Sequence, residues 1–248
     1  MEPSQSVWVE TYDKQELRSL HRSPHGANEK GSEPGSIPGW RIPNKMKQIQ
    51  WFSKETNRLY QLFGEPPTLK ISGVPMHRHI KMNPIEDTEL KIRAARPRGV
   101  VLDVCTGLGY TAICAARLSA VKKVITIEKD KNVLEIAKQN PYSSELFSSK
   151  KIEIINADAF ERIKSFENAS FDTIIHDPPT YVMATELYSE KFYTELFRVL
   201  KTNCRIWHYL PEPGRFPRLR EKVMKGLKNA GFRSIFYDES SSGILAVK

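Results

Sequence analysis

Cysteines and long apolar runs are both scarce in this sequence. Cys105, Cys114 and Cys204 form no CxxC pair and lie in apolar stretches, which disfavours a disulfide framework and predicts reduced thiols. No apolar run approaches the roughly 20 residues of a membrane span. The first 20 residues are acidic and polar, so we expect neither a signal peptide nor a transit peptide. These absences predict a cytoplasmic protein that does not engage a membrane.

Acidic residues are in deficit. The chain has 38 Lys and Arg against 29 Asp and Glu, a formal net charge of +9, and such an excess favours anionic partners such as nucleic acid. No RNP or KH pattern of an RNA-binding module accompanies it. The 248 residues, 40% of them hydrophobic, are enough for one α/β domain with an extension.

Periodic apolar patterning is weak in the first 70 residues. Residues 23–43 are rich in Gly, Pro and Ser, a composition that predicts disorder. Residues 46–63 predict a short amphipathic helix that docks on the main domain. We therefore divide the chain into an N-terminal extension, 1–70, and a main domain, 71–248.

Strands and helices alternate regularly after residue 86. Glu86, Asp87 and Thr88 are candidate N-caps of a helix that runs to Arg96. The predicted strands are 99–105, 122–129, 151–157, 171–177, 204–210, 232–238 and 243–248, and the predicted helices are 110–119, 132–140, 160–166, 185–201 and 218–231. The last two strands leave no room for a crossover helix and predict an antiparallel hairpin. The fold class is therefore α/β, a Rossmann-like doubly wound sheet of seven mainly parallel strands, with its ligands beyond the carboxyl ends of the strands.

The end of the first of these strands carries a glycine turn. Gly107 and Gly109 permit a tight turn and close approach of a ligand to the backbone. Glu128 ends the next strand, where a carboxylate can hold ribose hydroxyls. Asp158 and Ala159 end the third strand, where a carboxylate and a backbone N–H can pair with an adenine edge. The glycine spacing alone fits NAD as well as an adenosyl cofactor.

The fourth strand ends in His176-Asp177-Pro178-Pro179. Proline lacks an N–H and has a fixed φ, so the pair forces a rigid, extended exit from the strand. A structural stop is one interpretation, and a ligand-binding tip is the other. His176 is a candidate catalytic base, although a histidine at a strand end is more often a core residue.

These motifs, in this order, resemble those of class I S-adenosylmethionine-dependent methyltransferases, and in particular a group of predicted methyltransferases best known from archaea. The resemblance covers about residues 85–248 and disfavours NAD. It implies that adenosylmethionine is bound by Thr106, Gly107, Gly109, Glu128, Asp158 and Ala159, with Asp103 bracing the loop or the amino-acid moiety. The reversed last strand also matches that fold.

The Asp-Pro-Pro tip resembles the tetrad of methyltransferases that act on nitrogen. The resemblance implies that Asp177 accepts a hydrogen bond from the target amine and that Pro178, Pro179 and an aromatic residue shape the site. Positioning of the amine would then supply most of the rate. Thr180 occupies the usual aromatic position and Tyr181 follows it, which is a departure from that pattern.

A second resemblance, to spermidine synthases, rests on Asp177-Pro178 and the run from Glu186 through Tyr188 to Tyr193. It implies transfer of an aminopropyl group to an amine and makes Tyr188 a candidate substrate contact. The basic composition of the chain fits a polyamine poorly. A non-catalytic binding protein on the same scaffold is a third alternative.

The segment Met76-His77-Arg78-His79 precedes the sheet. Two histidines without further ligands are too few to predict a metal site. Arg78 is a candidate clamp for a carboxylate or phosphate, and the alternative is a basic loop over the sheet edge. The sequence as a whole predicts an adenosylmethionine-dependent methyltransferase that acts on a nitrogen of RNA or of a small metabolite.

Overall fold

The computed structural model describes residues 49–78, 80, 82–210 and 218–248. The predicted disordered stretch, 23–43, and His79 lie outside the described residues. None of the helices within these ranges is long and apolar enough to cross a membrane.

A small antiparallel sheet precedes the main one. Its strands, in order across the sheet, are β1 (Gln50–Ser53), β2 (Arg58–Phe63), β3 (Thr68–Ile71) and β4 (Val74–Pro75). The prediction of a helix over 46–63 is therefore wrong for the described residues of that range. Trp51 and Ser53 are buried in β1, and Tyr60 and Leu62 in β2, which is the period of two expected for a strand.

Seven further strands form the main sheet. They are β5 (Gly99–Val104), β6 (Val121–Glu128), β7 (Ile152–Asn156), β8 (Phe171–His176), β9 (Leu200–Tyr209), β10 (Arg233–Asp238) and β11 (Gly243–Val247). Their order is β10-β11-β9-β8-β5-β6-β7. Strands β5 to β9 pair in parallel, whereas β11 runs antiparallel to both β9 and β10. The predicted fold class, including the reversed last strand, is confirmed.

Helices cover both faces of this sheet. They are α1 (Pro84–Ala95), α2 (Tyr110–Arg117), α3 (Lys131–Lys138), α4 (Ser144–Ser148), α5 (Ala159–Arg162), α6 (Glu190–Val199) and α7 (Leu219–Asn229). Single 3₁₀ turns occupy Pro141–Ser143, Ile163–Ser165 and Thr185–Tyr188. The predicted helix 185–201 is thus shorter, because Ser189 caps α6 and Leu200 already belongs to β9.

Helix α1 begins earlier than the sequence pattern predicts. The side chain of Asn83, not of residues 86–88, accepts from the backbone N–H groups of Ile85 and Glu86, while the Glu86 carboxylate accepts from the N–H of Asn83. This reciprocal capping box fixes the start of the helix. Asp87 and Lys91 are among the buried residues of this helix.

The small sheet shares its core with the main domain. Trp51, Tyr60 and Leu69 belong to the same hydrophobic cluster as Ile113 of α2, and the predicted boundary between residues 70 and 71 falls within β3. The Tyr60 hydroxyl donates to a carboxylate oxygen of Asp130, next to α3. The small sheet is thereby held against the edge where β5 and β6 end.

Candidate active site

A cavity of about 600 Å³ lies between the small sheet and the carboxyl ends of the parallel strands. This is the position where open α/β sheets bind ligands, and the volume falls within the range of about 300–1,000 Å³ that is usual for small-molecule sites. Its wall contains eight of the predicted site residues: Thr106, Gly107, Glu128, Asp158, Ala159, Asp177, Pro178 and Pro179. The structure therefore brings the predicted cofactor motifs and the Asp-Pro-Pro tip to one cavity.

The two glycines of the turn after β5 have different surroundings. Gly107 has φ 55°, lines the cavity, and a Cβ placed on it would meet no atom within 4 Å. Gly109 has φ 78°, and a Cβ there would lie 2.6 Å from Leu146. Both positions favour glycine because their φ is positive. Gly107 leaves room for a ligand, whereas Gly109 permits packing and does not line the cavity.

Asp103 lies behind the cavity wall. It is fully buried in β5, and its two carboxylate oxygens accept from the hydroxyls of Thr111 at 2.9 Å and Thr126 at 2.7 Å. Burial raises the pKa of Asp103 to about 7, against the opposing effect of these two hydrogen bonds. Of the two roles implied by the resemblance, bracing the loop is the one that these contacts support, since Thr111 belongs to α2.

Glu128 is held by backbone donors. Its oxygens accept from the N–H of Gly107 and the N–H of Asp130, each at 3.0 Å. Burial raises the pKa of this carboxyl and the backbone hydrogen bonds oppose the rise. Because each carboxylate oxygen can accept two hydrogen bonds, the side chain keeps acceptor capacity toward the cavity. This arrangement fits the two hydroxyls of a ribose.

Asp158 begins α5. Its Oδ1 accepts from the N–H of Phe160 at 2.8 Å, and its Oδ2 lies 2.6 Å from the ammonium group of Lys129. Burial raises the pKa of Asp158, but the contacts to Lys129 and Phe160 outweigh it and lower the pKa overall. Ala159 is buried and lines the cavity beside it. The pair lies where the resemblance places the adenine edge.

Asp177 stands at the opposite side of the cavity, after β8. Its backbone N–H donates to the carbonyl of Val104 at 3.2 Å, which continues the pairing of β8 with β5. Its Oδ2 lies 2.7 Å from Nζ of Lys91 in α1, while Oδ1 makes no hydrogen bond to any described residue. Burial raises the pKa of Asp177, and the charge of Lys91 opposes this. One carboxylate oxygen is thus fixed and the other remains available as an acceptor.

His176 is not part of the cavity wall, so the prediction of a catalytic base is not supported. The ring is fully buried, its Nε2 lies 3.0 Å from the carbonyl oxygen of Leu187, and its centroid is 4.4 Å from that of His208. Burial lowers the pKa of His176 to about 4. The alternative interpretation as a core residue fits these contacts, because the ring also packs against Tyr188 and Phe192.

The two tyrosines of the predicted site support the Asp-Pro-Pro corner from outside the cavity. The buried hydroxyl of Tyr188 donates to the carbonyl of Pro179 at 2.9 Å. Tyr181 packs edge-on against Tyr188, and its hydroxyl accepts from Lys222 of α7 at 2.7 Å. Neither tyrosine is among the residues that line the cavity, so these contacts do not support a substrate contact of Tyr188 or a role of Tyr181 at the site.

Arg78 also contacts protein groups rather than the cavity. Its guanidinium forms an ion pair with Asp87 and donates to the hydroxyl of Ser242 at 2.6 Å and to the carbonyl of Ser240 at 3.1 Å. These partners favour a structural role for Arg78 over the predicted clamp for a ligand carboxylate or phosphate. His77 lines the cavity with its Nδ1 2.9 Å from the hydroxyl of Thr68. Within the described ranges, no group of three or more His, Cys, Asp or Glu side chains is arranged to hold a metal ion.

Sequence reasoning missed Lys91 and the small sheet. Lys91 is buried, and it follows Asp87 by one helical turn on the apolar face of α1. A lysine within such a stripe is itself a signal, since lysine is almost never buried without a partner. From the small sheet, Leu69 and Ile71 join the cavity wall.

The chain matches the model of a known protein family. The family model of the methyltransferase domain matches residues 96–231, which span β5 to α7 and contain every predicted cofactor residue. The chain belongs to this methyltransferase-domain family. The seven-stranded sheet with its reversed last strand is the class I fold predicted from the sequence.

Of two curated relatives, one is uncharacterised and the other is named for an activity. An uncharacterised protein of Methanocaldococcus jannaschii is 50% identical over 188 residues, which cover 74% of this chain and 64% of that protein. Polyamine aminopropyltransferase 2 of Streptomyces coelicolor is 29% identical over 147 residues, 57% of this chain and 26% of that protein. The chain thus spans less than two thirds of the length of these relatives.

Solved structures support the same fold. The spermidine synthase of Thermotoga maritima superposes with a TM-score of 0.62 at 18% identity, over 82% of this chain and 74% of that one. At that identity the likeness concerns the fold. It is consistent with the second resemblance noted in the sequence.

Proposed function

We propose that this protein binds S-adenosylmethionine and transfers its methyl group to the nitrogen of a compact amine. The observation that carries the proposal is that Asp177, the Pro178-Pro179 corner, Gly107 and Glu128 all line one cavity. A nucleoside-binding edge and an amine acceptor in the same small cavity are what alkylation of nitrogen by an adenosyl cofactor requires.

The cavity fits the cofactor on features of its own. The open space over Gly107 admits a ligand next to the backbone, and the Glu128 oxygens are turned toward the cavity by two backbone donors. Bound adenosylmethionine would supply an electrophilic methyl group on its sulfonium. Glu128 would hold the ribose, and Asp158 with Ala159 the adenine.

The amine would be oriented by Asp177. Its Oδ1 would accept one amine N–H and so direct the nitrogen lone pair into the cavity, while Oδ2 stays on Lys91. The prolines would hold this carboxylate at a fixed distance from the cofactor. The part of the cavity wall formed by Leu69 and Ile71 of the small sheet would exclude water from the reacting groups. This apolar wall favours a compact acceptor over an RNA strand.

Transfer of an aminopropyl group is a second candidate, and the charge of the cavity favours it. Six carboxylate residues line the wall against three Lys or Arg: Glu55, Glu128, Asp130, Asp158, Asp177 and Glu186 against Arg58, Lys129 and Lys131. The positive charge of the whole chain therefore does not extend to the cavity, and a cationic polyamine fits it better than the composition suggests. The same Asp177 would orient the amine in either reaction.

Calorimetry with adenosylmethionine, adenosylhomocysteine and decarboxylated adenosylmethionine tests the cofactor. We expect binding of adenosylmethionine in the micromolar range, about −8 kcal/mol, and strong weakening in Glu128→Ala. Glu135→Ala, which changes an exposed carboxylate of α3, is the matched control and should bind normally. The proposal fails if none of the three compounds binds.

The transferred group is read from the nucleoside product. The protein would be incubated with both cofactors and with linear diamines, triamines or bulk RNA. Release of adenosylhomocysteine with an amine supports methyl transfer to a compact acceptor. Release of methylthioadenosine would replace this proposal by aminopropyl transfer, and a product found only with RNA would remove the compact acceptor.

A further inference from the structure

Lys91 occupies an unusual place for a lysine. It is 2% exposed, on the face of α1 that also buries Ile92 and Ala95, where an unpaired ammonium group would be very costly. Its Nζ lies 2.7 Å from Oδ2 of Asp177 and 2.9 Å from Oδ2 of Asp87. The ammonium group therefore bridges a cavity carboxylate and a fully buried one.

The bridge continues to a third element. Asp87 is paired on its other oxygen with Arg78, which in turn donates to Ser242 and Ser240 in the turn between β10 and β11. Charges alternate along this line, from Asp177 through Lys91 and Asp87 to Arg78. Because Lys91 and Asp87 each have a charged partner on both sides, Lys91 has little freedom to leave Asp177.

We propose that Lys91 is a positioning residue that fixes the Asp177 carboxylate through Oδ2, keeps it ionised and leaves Oδ1 directed at the substrate amine. The catalytic meaning of this contact rests on the proposed function, whereas the contact itself does not. The line of charges restricts the position of the Lys91 ammonium group, because Arg78 holds Asp87 and Asp87 holds Lys91.

The electrostatic surroundings of Asp177 come from several elements. Burial raises the pKa of its carboxyl, Lys91 and Arg78 lower it, and Asp87 raises it. The Asp103 carboxyl in β5 and the hydroxyls of Tyr188 and Tyr209 also interact with Asp177. Among these groups Lys91 is the one in direct contact, so its removal should dominate any change.

Titration of Asp177 by ¹³C NMR tests the proposal without a substrate. The protein would be labelled at the aspartate carboxyl carbons, and the Asp177 signal would be assigned with Asp177→Asn. Loss of an opposite charge at this distance shifts a pKa by about 1–3 units, so Lys91→Met should raise the Asp177 pKa by that amount. Asp87→Asn should shift it in the opposite direction, because Lys91 and Arg78 then act without the Asp87 charge.

Lys138→Met is the matched control. It removes an exposed lysine that pairs with Glu135 within α3 and should leave the Asp177 titration unchanged. A purely structural role of Lys91 would lower thermal stability in Lys91→Met without moving the Asp177 pKa, and this result would overturn the proposal. If Lys91→Met does not fold, Lys91→Gln decides: a raised Asp177 pKa supports the proposal and an unchanged one contradicts it.

Failure of the proposed function has a different signature. Calorimetry on wild type, Lys91→Met and Lys138→Met would give the affinity for adenosylmethionine, which should agree within about threefold, equivalent to about 0.7 kcal/mol. Absence of binding in all three would reject the cofactor and leave the titration result standing. A tenfold or larger loss confined to Lys91→Met would show that Lys91 serves the cofactor, contrary to the positioning role.

Discussion

The two ends of the cavity are built from different kinds of contact. At the proposed cofactor end, Glu128 and Asp158 accept from backbone N–H groups of Gly107, Asp130 and Phe160, and Lys129 adds one exposed ion pair to Asp158. At the proposed amine end, a side chain holds each key group. Lys91 contacts the Asp177 carboxylate, and Tyr188 donates to the Pro179 carbonyl.

This difference determines how each end responds to mutation. Backbone donors come with the turns that follow parallel strands, so any residue compatible with the turn can supply them. Side-chain donors at the amine end come from α1 and from the turn before α6, and each can be removed by one substitution. We therefore expect the amine end to be disabled selectively, with the cofactor end intact.

We expect Asp177→Ala to give the largest difference between the effect on turnover and the effect on adenosylmethionine affinity. Turnover should fall by roughly 100-fold or more, as for the loss of a positioned acceptor, because the variant lacks the carboxylate proposed to orient the amine. Affinity for adenosylmethionine should change little, since the residues proposed to hold the ribose and the adenine lie at the ends of β6 and β7. Product release with the acceptor that the two-cofactor incubation identifies gives turnover, and calorimetry gives affinity.

Asp177→Asn sharpens this test. An amide oxygen still accepts a hydrogen bond, so a site that only orients the amine should keep much of its activity, while a site that needs a base should not. Full turnover in Asp177→Ala, or loss of folding alone, would mean that the acid merely caps the end of β8.

The grouping of the proposed cofactor residues could be predicted from the sequence because the contacts among them are short in range. Asp103, Gly107 and Glu128 lie within 26 residues of one another, and the alternation of strands and helices fixes which strand ends meet. The reversed strand β11 was predictable for the same reason, since a connection of a few residues to β10 permits only an antiparallel pair.

The amine end depends on contacts that the sequence does not reveal. Lys91 precedes Asp177 by 86 residues, and only the packing of α1 on the sheet brings them together. His176 could be a base or a core residue until its burial was known. The aromatic stretch around Trp51 and Tyr60 resembles an amphipathic helix because its strands are short and Asn57, at φ 52°, is a turn residue that is easily overlooked.

The buried histidine pair behind the amine end should make stability dependent on acid. Unfolded histidine has a pKa of about 6.5, whereas His176 in the fold has a pKa of about 4. Between these values the unfolded state binds more protons, so stability falls as pH falls through this window. At pH 5 this effect lowers the free energy of unfolding by about 2 kcal/mol, and His176→Phe should remove the loss.

Urea unfolding at a series of pH values from 7 to 5 measures this effect. Asp103, with a pKa raised to about 7, acts in the opposite direction, because its stabilising contribution decreases as pH rises from about 4 to 7. That contribution is present in both proteins and cancels in the difference between wild type and variant. Parallel curves for the two proteins would contradict the prediction.

A smaller effect is expected for Tyr188→Phe. Loss of the hydroxyl leaves the Pro179 carbonyl without its donor, which costs about 1 kcal/mol and loosens the corner, so turnover should fall by up to about tenfold. Tyr193→Phe is the matched control, because its buried hydroxyl contacts His208 at 3.0 Å and not the corner. It should lose similar stability with normal turnover. Equal turnover in both variants would show that the Tyr188 contact does not serve the site.

The smallest effect concerns the cofactor end, where Lys129 pairs with Asp158 across exposed surface. Pairs of this kind contribute about 0–1 kcal/mol, so Lys129→Gln should leave the free energy of unfolding unchanged within about 0.5 kcal/mol. If Asp158 accepts the adenine amino group, Lys129 competes for the same Oδ2, and its removal should tighten adenosylmethionine binding by at most about threefold. Higher salt should reproduce this gain in wild type by screening the pair, and Lys138→Gln, which changes an equally exposed lysine, should not. Binding that is weaker by about fivefold or more would instead mean that Lys129 itself contacts the cofactor. The proposed cofactor end would then also depend on a side chain and not on backbone donors alone.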